Sequence, residues 1–481
     1  MNTVADVVVD GLTRAGTPRI FGVPGVGASL LAAARARGLP FVLAFGESAA
    51  CVMAAVTGDL GEAPGAAVAG PGPGIAAAVT GAAQATLDRS PVILLTDRHP
   101  GTMLACKASL RVTAASAADR ITHAARLAMT EPRGPVHLDL PPAVADEPAV
   151  ELAASCRPAP LPPPEPRALD EAAAVLAAAS RPVLVAGLGC RGAASAAWLR
   201  ALAEALPAPV LVTPKAKGAL PDPHPLMLGV LTSAGEPLLP RADLILALGL
   251  DAVEATPRAW PSTAPLLHLA PFPAAADCGR PVTEVVAEIG LVVEELAPRL
   301  RGRARADWDM AELDRLKRDL SARRAAAAGG FASRVVRLAR QAMEAGTIAA
   351  VDAGAHADGV TALWDAVAPG EFLISNGPAT AGFALPAAIA AHLARPERRV
   401  VCFTAAAGLV AAASELETAT RLRAPIVVVA FGEPASNAPD LVRLAQSFGV
   451  PASAADGDAL FGEAMGRALR ASGPTLIAVW P

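Results

Sequence analysis

Residues 404–430 read TAAAGLVAAASELETATRLRAPIVVVA and align without gaps with residues 70–96, GPGPGIAAAVTGAAQATLDRSPVILLT. The offset is 334 positions, and it places Arg89 on Arg423. Each copy is a small-residue turn, a helical stretch and a short apolar strand. A further strand of similar sequence follows each copy, GPVHLDL after the first and GPTLIAV after the second. This internal repeat predicts two copies of one sheet unit near the two ends of the chain.

Short apolar segments alternate with helical stretches along the whole chain. The strand candidates are FVLAF, GAAVAG, PVILLT, PVHLDL, PVLVAG, PVLVTP, LILALG, LLHLAP, TIAAVDAG, RVVCFT, PIVVVAF and PTLIAVW. Continuous apolar strands that alternate with helices indicate parallel sheets covered by helices on both faces. The sequence therefore predicts the α/β class.

Two stretches of unusual composition divide the chain. Residues 155–167 are rich in proline, and residues 299–330 are strongly charged, which predicts a linker followed by a solvated helix. Three predicted domains result, at about 1–154, 168–298 and 331–481.

Composition limits the class of function. The net charge of -4, with no block of Lys or Arg, argues against nucleic-acid binding. Gly, Pro or charge interrupts the apolar runs before they reach membrane-spanning length, and the N-terminus lacks a signal-peptide pattern. The six cysteines are dispersed without a C-x-x-C pair, which suits a reducing compartment. We expect a cytoplasmic protein with a small-molecule substrate and no membrane or nucleic-acid partner.

Glycine-rich loops follow two strands of the first domain, FGVPG at 21–25 and GPGPG at 70–74. Glycines let backbone N–H groups approach a ligand or a neighbouring subunit closely, although a plain tight turn uses them as well. Both loops point to one crevice at the carboxyl end of the first sheet. The candidate binding residues there are Gly25, Val26, Gly70, Pro71 and Gly72.

A third glycine motif, GLGCRG at 187–192, follows the strand PVLVA and precedes a helix, as a dinucleotide-binding loop does. The acid expected about 20 residues later is not convincingly placed. The motif leaves open a nicotinamide site, a flavin or ADP site, and a structural turn.

Two titratable side chains lie at strand-to-helix junctions. Glu47 begins a helix in LAFGESAACVMAAVTGDL, where the helix dipole favours a carboxylate for structural reasons alone. Burial would instead raise its pKa and suit it to proton transfer, and the sequence does not decide between the two. His356 in VDAGAHADG follows another strand and is either a packed histidine or a functional one.

Taken in order, these segments resemble the thiamine-diphosphate-dependent enzymes of the acetolactate synthase and benzoylformate decarboxylase group. The resemblance covers nearly the whole chain, and the segment GFALPAAIAA at 382–391 is especially specific. It implies a pyrimidine-binding domain, a central domain that carries flavin in some relatives, and a diphosphate-binding domain. It also implies a site between the first domain of one subunit and the third of another, hence a homodimer, a homotetramer or a pair with a related subunit.

The resemblance assigns roles to single residues. It implies that Glu47 protonates the aminopyrimidine and so helps generate the ylide that attacks a 2-oxo acid. The family's G-D-G metal loop falls on residues 405–407, so its aspartate corresponds to Ala406. The family's Asn-Asn pair falls around residues 432–433, and the bulky residue that bends the cofactor corresponds to Ala381.

These departures predict a degenerate cofactor site. Mg²⁺ needs a shell of oxygens, and alanine methyls supply none, so we expect no metal site and loss of thiamine diphosphate. FAD in the central domain stays open. Backbone N–H groups of the turn would still hold a small anion, such as a substrate carboxylate. The candidate residues on this side are His356, Thr380, Ala381, Ala406, Ala407, Gly408, Glu433 and Asn437.

Three functions follow from the sequence. The preferred one is a lyase- or transferase-type enzyme that acts without thiamine diphosphate and uses Glu47 as general acid or base on a carbonyl- or carboxylate-containing metabolite. The second is a non-catalytic or half-site subunit that pairs with a related chain. The third is a thiamine-diphosphate-dependent 2-oxo acid decarboxylase or carboligase that resembles acetolactate synthase.

Overall fold

Three six-stranded parallel sheets, each flanked by helices, form the framework of the protein in a computed structural model. The α/β class with three sheet domains is therefore confirmed. The structure describes residues 2–480 apart from 24–26, 98–104, 152–153, 232–237, 255–262, 275–280, 301–305, 328–329, 378–380 and 433–438.

The first sheet belongs to the N-terminal part of the chain. Its strands are β1 (Ile20–Gly22), β2 (Phe41–Leu43), β3 (Gly65–Ala69), β4 (Val92–Thr96), β5 (Ser109–Arg111) and β6 (Val136–Asp139). Its helices are α1 (Val4–Arg14), α2 (Ala28–Ala36), α3 (Glu47–Gly61), α4 (Pro73–Leu87), α5 (Ala117–Met129) and α6 (Pro142–Ala145). The strand order is β2-β1-β3-β4-β6-β5.

The second sheet forms the central part. Its strands are β7 (Pro182–Ala186), β8 (Val210–Val212), β9 (Met227–Val230), β10 (Leu244–Leu248), β11 (Leu266–Ala270) and β12 (Pro281–Val286). The helices of this part are α7 (Pro166–Ala178), α8 (Ala193–Ala205), α9 (Ile289–Leu300), α10 (Met310–Ala327) and α11 (Gly330–Ala342). The strand order is β12-β11-β10-β7-β8-β9.

The third sheet is C-terminal. Its strands are β13 (Ile348–Val351), β14 (Phe372–Ile374), β15 (Val400–Ala405), β16 (Ile426–Phe431), β17 (Ala452–Ala455) and β18 (Thr475–Val479). The helices are α12 (Ala357–Leu363), α13 (Ala384–Ala394), α14 (Ala406–Ala411), α15 (Glu415–Arg421), α16 (Leu441–Ser447) and α17 (Asp458–Ala468). The strand order is β14-β13-β15-β16-β18-β17.

The predicted repeat appears directly in the topology. The first and third sheets have the same strand order. Adding twelve to each strand number of the first sheet gives the order of the third. Arg89 and Arg423, which the alignment equates, both adopt a left-handed backbone conformation with φ of 51° after their helices. The two copies differ in one element. The continuous helix α4 of the first copy corresponds to two short helices, α14 and α15, in the second copy.

The chain divides into two compact units. One holds Met1–Ala159, Ala350–Gly354 and Gly377–Trp480, and the other holds Pro160–Ala349 and Ala355–Asn376. The first unit thus includes both copies of the repeat. The domain limits predicted from the sequence remain predictions, since this division follows contacts and joins the first and third sheets.

Small residues bring α3 close to its neighbours in the first unit. A Cβ on Gly65 would overlap the backbone carbonyl of Ala54 in α3, and a Cβ on Gly81 of α4 would overlap the Cβ of Cys51. The helix therefore packs tightly on both β3 and α4, and its other neighbour is α13. This packing fixes the position of the helix that begins with Glu47.

The charged segment near 310–327 is a helix, as predicted, but it is not a solvated one. Leu313, Leu316 and Leu320 of α10 are buried in the core of the central part. Their spacing forms one apolar stripe on a helix whose other faces are charged, and the charges hid that stripe in the sequence. Among the residues that the structure describes, no helix is both long and apolar enough to cross a membrane.

Candidate active site

Glu47 lies at the first turn of α3, where its half-buried carboxylate contacts the start of α4. A Cβ on Gly74, the second residue of α4, would overlap Glu47 Oε1. Glycine at this position therefore makes room for the carboxylate. The structure thus brings Glu47 next to the GPGPG loop, in which Gly72 adopts a left-handed φ of 72° and is exposed together with Pro71.

The turn that precedes Glu47 is held by the third sheet's α15. The backbone N–H groups of Phe45 and Gly46 donate to Glu415 Oε1 at 3.1 and 3.0 Å. Arg421, at the other end of α15, donates to the carbonyl of Leu43 at 2.6 Å. Burial raises the pKa of the Glu415 carboxyl, while the hydrogen bonds from the two backbone amides lower it. Sequence reasoning missed this role of Glu415.

The alanine turn at 404–408 lies between β15 and α14, at a switch point of the third sheet. Strands β13 and β15 are neighbours there, and the chain proceeds outward from them in opposite directions. In open parallel sheets, ligands bind at such a point, outside the carboxyl ends of the strands. The position of the turn therefore suits a binding site, although its side chains are small.

A buried acid lies beneath the alanine turn. Asp352, which follows β13, accepts hydrogen bonds from the N–H groups of Phe383 and Ala384 at 2.7 and 2.9 Å and from the Thr404 hydroxyl at 2.5 Å. A Cβ on Gly408 would overlap the Asp352 carboxylate, so glycine is required for the turn to close over it. Burial raises the pKa of Asp352, and the hydrogen bonds lower it. No residue pattern around Asp352 indicated this pairing in advance.

The side chains of 405–407 are methyl groups, and the turn itself offers no side-chain oxygen beyond the Thr404 hydroxyl. Within the described ranges, no group of three or more His, Cys, Asp or Glu residues is arranged to hold a metal ion. The oxygen donors that the sequence suggested, Glu433 and Asn437, lie outside the described residues.

The remaining predicted site residues are distributed as follows. Ala381 is exposed and lies in the first unit, next to Gly382, whose left-handed backbone packs against the end of α14. His356 is buried just before α12 and belongs to the second unit. Gly25, Val26 and Thr380 lie outside the described residues.

In the central part, the GLGCRG motif is packed by its own sheet. A Cβ on Gly187 would overlap Glu254 and Leu250, and a Cβ on Gly189 would press against Gly249. The buried Glu254 carboxylate accepts from the Leu188 N–H at 3.0 Å and from the Thr213 hydroxyl. Burial raises the pKa of Glu254 to about 7. These contacts account for both glycines as packing residues and favour the structural-turn interpretation of the motif.

Three domain models of one enzyme family match the chain. The N-terminal TPP binding domain of thiamine pyrophosphate enzymes matches residues 2–120, the central domain matches 169–296, and the C-terminal TPP binding domain matches 352–433. The chain belongs to the thiamine pyrophosphate enzyme family. Thiamine pyrophosphate (TPP) is another name for thiamine diphosphate, so the predicted resemblance is confirmed.

Known members of the TPP enzyme family align over most of the chain. The catabolic acetolactate synthase of Raoultella terrigena is 29% identical over an alignment of 460 positions, which covers 88% of this chain and 81% of that protein. The acetolactate synthase of Bacillus subtilis is 27% identical over an alignment of 530 positions, which covers 99% of this chain and 93% of that protein. An X-ray structure of a protein assigned as thiamin diphosphate-dependent, from Mycobacterium smegmatis, superposes with a TM-score of 0.81 at 20% identity and covers 100% of this chain and 99% of that one.

The expectation that TPP is lost is wrong. Both TPP binding domain models match, and the C-terminal match at 352–433 includes the alanine turn itself. The expectation rested on three side-chain positions. A bound cofactor, however, also contacts the protein backbone over the whole strand, turn and helix. That surface, with Asp352 closing it from below, is retained.

The residues present fit the pyrimidine end of TPP, because Glu47 has a half-buried carboxylate that Gly74 accommodates. At the diphosphate end, the turn at 404–408 has the small side chains and switch-point position that a diphosphate group requires. Side-chain oxygens for an accompanying cation are found in sequence at Glu433 and Asn437, after β16.

Proposed function

We propose that the protein is a TPP-dependent enzyme that decarboxylates 2-oxo acids and joins them by carboligation, with acetolactate, the product that its relatives are named for, as the expected product. The matches to both TPP binding domains support the cofactor, and the relatives, aligned over 81% and 93% of their own lengths, support the reaction type. The observation that carries the proposal is the Glu47 carboxylate held against Gly74.

When bound, TPP supplies the nucleophilic carbon that adds to the carbonyl of a 2-oxo acid. Two molecules of pyruvate and one proton have the same atoms as one acetolactate and one CO₂, so the reaction needs no oxidant. The role of Glu47 is to exchange a proton with the aminopyrimidine ring through its carboxylate.

The diphosphate end of the cofactor is assigned to the turn at 404–408, with Glu433 and Asn437 as the side chains for an accompanying cation. We assign Ala381, whose side chain is a single methyl group, to the position of the bulky cofactor-bending residue that the resemblance implies. The GPGPG loop, through Gly70, Pro71 and Gly72, lines the crevice beside Glu47. These residues bind and orient, and only Glu47 moves a proton.

A second copy of the chain completes the proposed site. Apolar side chains are exposed in the turn before Glu47 and on α4: Phe45, Val79 and Leu87, with exposed fractions of 60%, 39% and 38%. Burying such side chains favours association, because apolar surface leaves water. Light scattering on the native protein should give a mass of two or four chains, each of 48.3 kDa. A monomeric mass at the protein concentration used for activity assays would contradict a site shared between two chains.

Turnover of pyruvate tests the proposed function. Purified protein with TPP and Mg²⁺ should release CO₂ and form acetolactate, and the rate should fall to the background level when TPP is removed by gel filtration. Other 2-oxo acids, assayed by CO₂ release, extend the test to different substrates. Full activity without TPP, or no CO₂ release from any 2-oxo acid, would contradict the proposal.

A further inference from the structure

We propose that Glu415 is a positioning residue for Glu47, which holds the turn at 44–46 so that the Glu47 carboxylate stays against Gly74. The inference rests on the proposed function, since it assigns Glu47 the proton-exchange role. It concerns side chains of one compact unit, since residues 43–47, 74 and 415–421 all belong to the first unit.

Helix α15 holds the turn through one hydrogen-bond acceptor and one hydrogen-bond donor. Glu415, the first residue of α15, accepts the N–H groups of both Phe45 and Gly46 with one oxygen, Oε1. Arg421, the last residue of α15, donates to the carbonyl of Leu43 on the same segment. One short helix thus holds the backbone of the turn at two points, two residues apart.

Side-chain burial does not fix this turn. Phe45 is its large residue, and 60% of that side chain is exposed. Gly46 has no side chain, and its backbone is extended, with φ of −131° and ψ of 149°. Besides the contacts with α15, the backbone bond from Ala44 N–H to Gly22 O, at 2.7 Å, holds the start of the turn. The conformation immediately before Glu47 therefore depends on Glu415.

The position of Glu415 makes this contact strong. The residue is 1% exposed, and hydrogen bonds from backbone N–H groups to a carboxylate are stronger than neutral ones where water is excluded. If the acceptor is removed, two N–H groups lose their partner at once. Because Gly46 is the residue before Glu47, any shift of the turn moves the first residue of α3 directly.

Hydrogen exchange on the protein without TPP tests the contact. Glu415→Ala should raise the exchange rate of the amides of Phe45 and Gly46 by about tenfold or more, since both lose their acceptor. Glu415→Gln keeps an acceptor oxygen in the same place and should stay near the wild-type rate. Glu463→Gln, a change at an exposed acid of α17 in the same unit, is the matched control and should leave both amides unchanged.

Kinetics with TPP and pyruvate test the positioning role. In Glu415→Ala, kcat should fall by about 10- to 100-fold with KM for pyruvate nearly unchanged, and Glu415→Gln should recover most of the loss. Arg421→Ala removes the hydrogen bond to the Leu43 carbonyl and should give a smaller loss of the same kind. This variant replaces Glu415→Ala if Glu415→Ala does not fold.

Unchanged exchange of both amides in folded Glu415→Ala would overturn the inference, as would a loss of kcat that Glu415→Gln does not recover. The exchange measurement uses neither cofactor nor substrate. Raised exchange in Glu415→Ala together with an inactive wild-type protein would therefore support the hold on the turn and refute the proposed function.

Discussion

Turnover of pyruvate should fall by about 10²- to 10⁴-fold in Glu47→Gln, which is the range that general acid or base groups contribute. The amide has nearly the shape of the carboxylate but cannot exchange the proton. Because Glu47 is only half-buried and glutamine has nearly its shape, losing the charge at the helix N-terminus should cost at most about 1 kcal/mol and lower the midpoint of thermal unfolding only slightly. The measurement is kcat at saturating TPP and Mg²⁺, with CO₂ release as the signal.

Gly74→Ala provides a second, independent change at the same carboxylate. Its Cβ would overlap Oε1 of Glu47, the far end of a flexible side chain, so the carboxylate moves while the fold tolerates the methyl group. A loss of about 10- to 100-fold in kcat is expected from such a displacement. If Glu47→Gln retains wild-type turnover, Glu47 has no part in the chemistry.

Asp352→Ala should lower the free energy of unfolding by about 2 to 6 kcal/mol. The change leaves two buried N–H groups, those of Phe383 and Ala384, without their acceptor, while the Thr404 hydroxyl can still donate to the carbonyl of Ala405. Each unpaired buried group costs about 1 to 3 kcal/mol. Urea denaturation followed by circular dichroism measures the loss.

Asp352→Asn is the matched control for that prediction. Its carbonyl oxygen can accept both N–H groups, and its amide can donate to the Thr404 hydroxyl, so the cost should be about 1 kcal/mol. Asn keeps the hydrogen-bonding groups without the charge, so the two variants together separate the contribution of the hydrogen bonds from that of the charge. Equal stability of the Ala and Asn variants would contradict this account of the hydrogen bonds.

The fold was predictable because its strands are nearly continuous apolar runs. All twelve strand candidates contain or overlap observed strands, and the repeat predicted that the first and third sheets have the same construction. Strands such as β5 (Ser109–Arg111) and β17 (Ala452–Ala455) were not predicted, because they are short and carry no apolar run. They pair at the edges of their sheets, where the partner strand, and not their own composition, makes them strands.

The candidate site was predictable only in part. Glu47 and the GPGPG loop follow a local pattern of strand, turn and helix, and the structure places them together. Glu415 and Asp352 act through backbone N–H groups, which every residue other than proline has, so no residue type marks their partners. The two amides that Glu415 binds are 370 and 369 positions away in the chain.

The cofactor prediction failed for a related physical reason. Three alanines were counted as a lost site because a metal needs side-chain oxygens. The turn at 404–408, however, owes its shape to β15, to Gly408 and to the acid beneath it, none of which the alanines change. Side-chain identity at single positions is a weaker guide to TPP binding than the match of the whole domain at 352–433.

Calorimetric titration of the native protein with TPP in the presence of Mg²⁺ decides whether the chain binds this cofactor. We expect saturable binding with a dissociation constant in the micromolar range or tighter, and much weaker binding of thiamine, which lacks the diphosphate that the turn at 404–408 is assigned to hold. Glu47→Gln should still bind TPP, since the diphosphate end is unchanged. The absence of TPP binding to the folded protein, even at millimolar concentrations, would contradict the account.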